Sequence, residues 1–548
     1  MTSNRSCSIV LAAAMLLFLP MPPGARADAT PQPAAAAATE KVNFPVSCGP
    51  AAQKAFNHAV WTLHSFWYPE ALKAFTEITQ AEPGCAMGYW GIAMSHWYPL
   101  WYPPNAAALK AGSEAVEKAM AAQPKTDREK DYIAAIAAFY RDSDKLDHRT
   151  RSLAYEKAME QVYLRYPEDR EAGVFYALAL NATALPTDKT LANKKKAAEI
   201  LNKVWAEQPN HPGVVHYLIH SDDTAELAEA GLPAAICYAK IAPEVPHALH
   251  MPSHIFTRLG LWQQSIDSNV AARTAALAYV QKNLGPDAFD GETVHTMDYL
   301  VYAYLQTGQD AKAKQVVDQL LAFRQSAPAN LPMAYAVGAI PVRYALERRD
   351  WRAAAALAEP QISFPLDRFP WAEATISYAR ALGAAQTGDA ASAQAEIAKL
   401  QSLKDKLVQA KDTYWANQVE VQRLGAAGIL AYTQGDNEKA VELVRAAADV
   451  DATMDKHPAT PAEVLPAREL LADLLLQIGD PKNALKEYEQ SLRAEPNRFR
   501  SLLGKARSAK QSGELAVSRD AYQKLVALSG KSEADRPELS EAKAFLSN

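Results

Sequence analysis

Hydrophobic residues recur along the chain at the spacing of amphipathic helices, and the pattern returns with a period of about 34 residues. The clearest copy begins at Leu465. Its eighth and twentieth positions are small, its twenty-fourth is aromatic and its thirty-second is proline: Ala472, Ala484, Tyr488 and Pro496. Small residues let two helices approach closely, an aromatic ring fills the space beside them, and proline ends the second helix. The pattern therefore predicts an array of paired helices.

This spacing is that of the tetratricopeptide repeat (TPR), in which each unit is a helix-turn-helix that packs on its neighbours. Glycine is scarce, with 23 residues in 548, and strand-like runs of β-branched residues are absent from the sequence. Both features favour one long helical array over several mixed domains. We predict an all-α fold, a TPR-type α-solenoid that forms a right-handed superhelix.

Four segments resemble the signatures of a bacterial family of exported TPR proteins. They are 85–91 (CAMGYWG), 216–220 (HYLIH), 250–255 (HMPSHI) and the closing 496–507, which contains Pro-Asn-Arg and Gly-Lys-Ala-Arg. The resemblance covers most of the mature chain. It implies the solenoid fold and export, and it implies little chemistry because the function of that family is poorly defined.

The first residues are expected to be a cleaved signal peptide, residues 1–27. Arg5 provides a positive start, the apolar run 9–19 is short, and Ala25 and Ala27 supply the small residues that a signal peptidase reads. No later segment approaches the roughly 20 apolar residues of a membrane-spanning helix. The mature protein is therefore expected to be periplasmic or secreted, with no membrane span.

The remaining chain is divided by composition and repeat regularity. Residues 28–47 are rich in Pro, Ala and Thr and are expected to be a flexible tether. We expect an N-terminal TPR array at 48–330, degenerate helical repeats at 331–415 and a regular C-terminal TPR array at 416–548. Acidic and basic residues nearly balance, 62 against 57, and form no basic stripe, so nucleic acid is not an expected partner.

A disulfide is predicted between Cys48 and Cys85. Cys48 precedes the first helix of the first repeat, and Cys85 ends that repeat. A bridge between them would fasten the end of the solenoid, where no neighbouring repeat is present. Export would place both thiols in an oxidising compartment.

Histidines are concentrated between His211 and Asp298. In TPR proteins, positions two, five and nine of the first helix of a repeat line the concave groove, and the resemblance implies the same here. The repeat phase puts seven metal-ligating residue types at such positions on three successive first helices: His216, His220, His247, His250, His254, His295 and Asp298.

This arrangement predicts a metal site at the middle of the solenoid. Histidines four residues apart lie on one face of a helix and chelate together. The pairs His216–His220 and His250–His254 would give four nitrogens to one ion, with His247, His295 and Asp298 completing or orienting the site. An all-histidine site suits Zn or Cu, and Fe would suit it if Asp298 joined. The alternative is a metal-free, pH-sensitive groove that binds a peptide.

Aromatic residues are dense near the amino end, and Trp90 and Trp97 fall at groove-facing positions of the second repeat. They are interpreted either as a stacking wall for a ligand or as part of a hydrophobic cap on the solenoid end. The cap is favoured for most of these aromatic residues, because a terminal repeat must cover an exposed face.

Two functions follow from the sequence. The first is an exported scaffold that binds a peptide or protein partner in its concave groove and carries the histidine metal site. The alternative is a metalloenzyme that depends on Zn, Cu or Fe and has its active site at the histidines. The sequence contains no nucleophile elbow, P-loop or dinucleotide fingerprint, so it indicates no catalytic residue and no cofactor besides a metal.

Overall fold

The computed structural model describes residues 42–100, 103–358, 364–530 and 536–547. The signal peptide expected at 1–27 and most of the tether expected at 28–47 lie outside these ranges. Within the described residues the chain is almost wholly helical, and consecutive helices pack on each other as hairpins. The fold is the predicted all-α solenoid of TPR type.

The helices of the first half are α1 (Pro50–His64), α2 (Tyr68–Ala81), α3 (Ala86–Ser95), α4 (Ala106–Ala121), α5 (Asp127–Tyr140), α6 (His148–Arg165), α7 (Arg170–Thr183), α8 (Ala192–Glu207), α9 (Pro212–Asp222), α10 (Ala228–Ile241), α11 (Pro246–His250), α12 (Pro252–Arg258) and α13 (Trp262–Leu284). Those of the second half are α14 (Gly291–Gln306), α15 (Asp310–Ala322), α16 (Leu331–Glu347), α17 (Trp351–Ala355), α18 (Pro370–Gln386), α19 (Ala390–Gln409), α20 (Thr413–Thr433), α21 (Asn437–Asp451), α22 (Ala467–Gln477), α23 (Pro481–Ala494), α24 (Phe499–Gln511), α25 (Leu515–Leu528) and α26 (Pro537–Ser547). A short 3-10 helix spans Leu366–Arg368, and the two-residue strands β1 (Ala288–Phe289) and β2 (Gln325–Ser326) pair in parallel.

Adjacent repeats contact each other through an aromatic ring against a glycine. A Cβ added at Gly91 on α3 would lie 2.2 Å from the ring of Phe75 on α2, and one at Gly504 on α24 would lie 2.0 Å from the ring of Tyr488 on α23. Both aromatic residues occupy the twenty-fourth position of their repeat. The close helix approach that the sequence predicts therefore depends on glycine in the next repeat as well as on alanine within it.

The amino end of the solenoid is fastened as predicted. Cys48 and Cys85 form a disulfide whose Cα atoms are 5.2 Å apart. The end of the expected tether also packs on the repeats, since Val42 and Phe44 are buried and the Phe44 ring lies 5.4 Å from that of Trp90. The packed part of the chain thus includes residues before Cys48.

Residues 452–466, which we call the covering segment, connect α21 to α22 and cross the first helices of earlier repeats. Lys456 donates a hydrogen bond to Asp223 just after α9, at 3.0 Å. The carbonyl of Thr460 accepts from Tyr299 on α14, at 3.2 Å. Further along, Arg343 on α16 donates to backbone carbonyls of the segment. The chain therefore packs against its own earlier repeats with a segment of turns and bends.

Within the described residues, no helix combines the length and the apolar character needed to cross a membrane.

Replacing Gly91 with alanine should destabilise the first two repeats. The new methyl group would overlap the Phe75 ring, and such overpacking typically costs about 1–3 kcal/mol. Thermal or urea unfolding of Gly91→Ala measures the loss. Gly84→Ala is the matched control, because a Cβ at Gly84 has nothing within 4 Å. Equal unfolding midpoints for the two variants would contradict the packing described here.

Candidate metal centre

Six histidines converge at the middle of the solenoid. Helix α9 carries His216 and His220, and α11 carries His247 and His250. His254 is on α12 and His295 is on α14. All six side chains are buried, and the most exposed, His220, retains 6% of its accessible surface. These residues are the predicted ones, but they lie in an enclosed interior and not on an open groove.

The first triad consists of His216, His220 and His247. The Nε2 atom of His216 lies 3.1 Å from Nε2 of His220 and 3.1 Å from Nε2 of His247. A metal–nitrogen distance of about 2.0–2.1 Å places ligand nitrogens about 3.3–3.4 Å apart in tetrahedral geometry. Two of the three nitrogen pairs are therefore within a few tenths of an ångström of the spacing that a bound ion requires.

The second triad consists of His250, His254 and His295. Its His250 and His254 Nε2 atoms are 3.0 Å apart, and the His295 ring centre lies 4.4 Å from that of His250. Each residue of either triad offers a nitrogen within 4.8 Å of those of the other two members. The structure thus forms two separate three-histidine groups.

The expected division of these residues is wrong in two respects. His247 joins the α9 pair and His295 joins the pair on α11 and α12, so two i, i+4 pairs do not share one four-nitrogen site. Asp298 belongs to neither triad. Its carboxylate accepts from Nε of the buried Arg343 at 2.9 Å, and this ion pair turns it away from the imidazoles.

The helix that carries His247 and His250 ends just before Pro252. Pro252 lacks an N–H group, so the helix breaks into α11 and α12 at this point. His250 and His254 still meet across the break, at i and i+4. His247, one turn earlier, lies beside α9, where its ring centre is 5.0 Å from that of His216.

In the second triad, hydrogen bonds at Nδ1 fix the tautomers of two rings. His254 Nδ1 lies 2.9 Å from the carboxylate of Asp223, which can only accept. His250 Nδ1 lies 2.7 Å from Oδ1 of Asn269, whose amide nitrogen in turn donates to the Ser265 carbonyl. Both Nδ1 atoms therefore carry the proton, and both Nε2 atoms present lone pairs to each other at 3.0 Å.

The first triad has a similar constraint. His216 Nδ1 lies 2.6 Å from the backbone carbonyl of His64, which can only accept, so His216 Nε2 is unprotonated. This single lone pair faces two nitrogens, those of His220 and His247, at equal distances of 3.1 Å. His247 Nδ1 in turn lies 3.2 Å from the Glu292 carboxyl group.

Burial keeps the imidazoles neutral. It lowers the pKa of His216, His220, His247, His250 and His295 well below the usual value, and neighbouring histidines lower these pKa values further. Burial also lowers the pKa of His254, although Asp223 opposes that shift. Neutral imidazole is the form that binds a metal ion.

The Asp223 carboxylate stays ionised beside the second triad. Burial raises its pKa, but the charges of Lys456 and Arg258 outweigh this effect and hold the pKa well below its usual range. Nζ of Lys456 lies 3.0 Å and Nε of Arg258 lies 2.8 Å from the carboxylate oxygens. Asp223 is thus ionised and accepts a hydrogen bond from the Nδ1–H group of His254.

A third buried cluster consists of His64, Glu171 and His211. It differs from the triads because its hydrogen-bond donors and acceptors match one another. The two carboxylate oxygens of Glu171 accept from Nε2 of His64 and of His211, each at 2.9 Å. The other ring nitrogens accept from Tyr217 OH and from the Val214 N–H group. Each ring nitrogen has a hydrogen-bond partner of the opposite kind, so this cluster needs no ion. The sequence pattern gave no signal for Glu171.

Two aromatic residues that sequence reasoning missed lie against the triads. The ring centre of Phe66 is 4.4 Å from His216, and its plane stacks on those of His220 and His247. Phe66 adopts a φ of +53°, a left-handed conformation that is strained for a phenylalanine. Tyr299 lies within 5.2 Å, centre to centre, of each ring of the second triad.

The triads face each other across a small gap. The ring centres of His220 and His254 are 6.2 Å apart, and so are those of His247 and His250. A cavity of about 10 Å³ lies between the two groups, and the walls that the triads do not form are apolar, including Leu100, Met251 and Ala459. This volume is about that of one water-sized probe.

Trp90 and Trp97 do not form a ligand-stacking surface. Each retains 1% of its accessible surface. Trp90 packs among aromatic rings that include Phe56 and Phe175, and Trp97 packs on Tyr155. Their packing corresponds to the alternative interpretation, a hydrophobic core at the end of the solenoid.

No family model and no curated protein matches the chain. Solved structures similar to it include Naa15/Naa10 bound to HypK-THB, with 11% identity over 90% of this chain and 90% of that chain and a TM-score of 0.26. Yeast Tom70 is 11% identical over 90% of this chain and 95% of its own, with a TM-score of 0.31. A human IFIT1 dimer with m7Gppp-AAAA is 10% identical over 81% of this chain and 90% of its own, with a TM-score of 0.36.

Removing the Glu171 carboxylate should destabilise the fold. Glu171→Ala leaves two buried imidazole N–H groups without an acceptor, and each such unsatisfied group costs about 1–3 kcal/mol. Urea unfolding measures the change, and Glu171→Gln, which keeps an acceptor oxygen, should lose less. Metal content should not change, because this cluster is satisfied without an ion. Loss of metal from folded Glu171→Gln would contradict that assignment.

Proposed function

We propose that this protein is an exported TPR solenoid that holds two metal ions side by side, one in each histidine triad. The observation that carries the proposal is the pair of unprotonated Nε2 atoms of His250 and His254, 3.0 Å apart. Two facing lone pairs repel each other, and a cation between them converts the repulsion into coordination. Partners at Nδ1, such as Asp223 and Asn269, are those that orient metal-bound histidines.

Copper and zinc suit the site best. All six ligands are imidazoles, and imidazole sites of this kind favour these two ions. Iron is the less suitable of the three expected metals, because the Asp298 carboxylate that would have favoured it is paired with Arg343. Each triad supplies three protein ligands, which leaves room for a further ligand at each ion.

Export is part of the proposal. It is supported by the signal-like residues before position 28 and by the disulfide between Cys48 and Cys85. Structural disulfides persist in oxidising compartments and are rare in the cytosol. The expected peptide or protein partner stays a prediction. At mid-solenoid the inner surface is already contacted by the covering segment, so we expect any partner to bind elsewhere along the array.

Protein purified without a metal-affinity tag should contain two metal ions per chain. His216→Ala should remove the ion of the first triad, and His250→Ala should remove that of the second. Elemental analysis of each purified variant measures the loss. His58→Ala is the matched control, because His58 lies on the exposed surface outside both triads. Metal-free wild-type protein, with the same unfolding midpoint before and after addition of copper or zinc, would refute the proposal.

Asn269→Ala should weaken metal binding at the second triad alone. The change removes the acceptor that holds His250 Nδ1–H and so frees the ring to rotate. Loss of such an outer partner typically costs about 10–100-fold in affinity. Competition with a chelator measures the two sites separately, and the first triad serves as the internal control. Equal weakening at both sites would indicate a general loss of structure and would argue against this role.

A further inference from the structure

Dioxygen is the ligand that best fits the gap between the triads. This inference rests on the proposed pair of metal ions and concerns what binds between them. We propose that the centre, loaded with two Cu(I) ions, binds one dioxygen molecule between them and reduces it to bound peroxide. Charge, cavity size and cavity lining each support this assignment.

The charge balance favours monovalent ions. The six imidazole ligands are neutral, so two divalent ions would bring four positive charges into a buried site. The nearby Asp223 carboxylate does not offset them, because Arg258 and Lys456 already neutralise it at 2.8 and 3.0 Å. Uncompensated buried charge is costly. Two Cu(I) ions bring half the charge, and of the two favoured metals copper is the one with a stable monovalent state.

The oxygenation step keeps that charge constant. Each Cu(I) ion gives one electron and becomes Cu(II), the two electrons reduce dioxygen to peroxide, and both oxygen atoms stay bound to copper. The O–O π bond breaks, two Cu–O contacts form, and no proton is taken up or released. The total charge of ions and ligand is +2 before and +2 after the step. The residues around the ions therefore do not have to compensate a change in net charge during this step.

The cavity is small and favours a ligand of few atoms. Its volume is about 10 Å³, and its apolar walls include Leu100, Met251 and Pro332. A pair of zinc ions with a bridging hydroxide would be the hydrolytic alternative. That chemistry requires polar groups that orient a hydrolysable substrate beside the ions, and these walls offer none. Apolar walls favour an apolar gas molecule.

The experiment uses the full mature chain, loaded with Cu(I) in the absence of oxygen and then exposed to dioxygen. We expect uptake of one dioxygen per two copper ions and a near-ultraviolet charge-transfer band of copper-bound peroxide. The two Cu(II) ions should couple through the peroxide and give no electron paramagnetic resonance signal. Ala459→Leu should fill the cavity and abolish the band while both copper ions remain bound. His295→Ala should retain one copper ion and show no band.

Three results would overturn the inference, and they are distinguishable. If two copper ions bind and both triads are required, but dioxygen produces neither uptake nor the band, then the dioxygen assignment is wrong and the metal centre stands. If no stoichiometric metal binds to either triad, the proposed function fails and this inference fails with it. A band that persists at full strength in His295→Ala would also overturn the inference, since one triad would then suffice.

Discussion

In His250 and His254 the ring proton lies on Nδ1, and this leaves a lone pair on each Nε2 atom. Asp223 and Asn269 accept those protons, so two lone pairs point at each other across 3.0 Å in a buried setting. The Glu171 cluster gives the comparison within the same chain. There a carboxylate lies between two imidazoles, and donors and acceptors match without an ion. The two clusters differ because Glu171 supplies only acceptors, whereas the second triad contains imidazoles alone.

The fold brings these histidines together because the first helices of successive repeats are in contact. Neighbouring helix axes lie about 8–10 Å apart, which is close enough for imidazoles on adjacent helices to meet. Helix α9 provides two ligands of the first triad, and α11 provides one ligand to each triad: His247 meets His216 on α9, and His250 meets His295 on α14.

The sequence predicted the solenoid and all six histidines, because both follow from a periodic pattern that local spacing records. It did not predict how the histidines divide, since this depends on where α11 lies relative to α9 and α14, which local spacing does not record. Asp298 was assigned to the site for its helical position, and Arg343, 45 residues later, captures it. Contacts between residues far apart in the sequence, such as that of Arg258 with Asp455 across 197 residues, cannot be predicted from a local sequence pattern.

The covering segment changes what the concave surface does at mid-solenoid. In a repeat array this surface is open to a partner, yet here residues 452–466 lie along it. Lys456 bonds to Asp223, and the Thr460 carbonyl accepts from Tyr299, so the segment touches groups that themselves touch the second triad. The same contacts exclude water from the imidazoles and keep them neutral. The inner surface thus acts at this point as a wall of the metal centre, and binding of a partner there would require the chain to expose that centre.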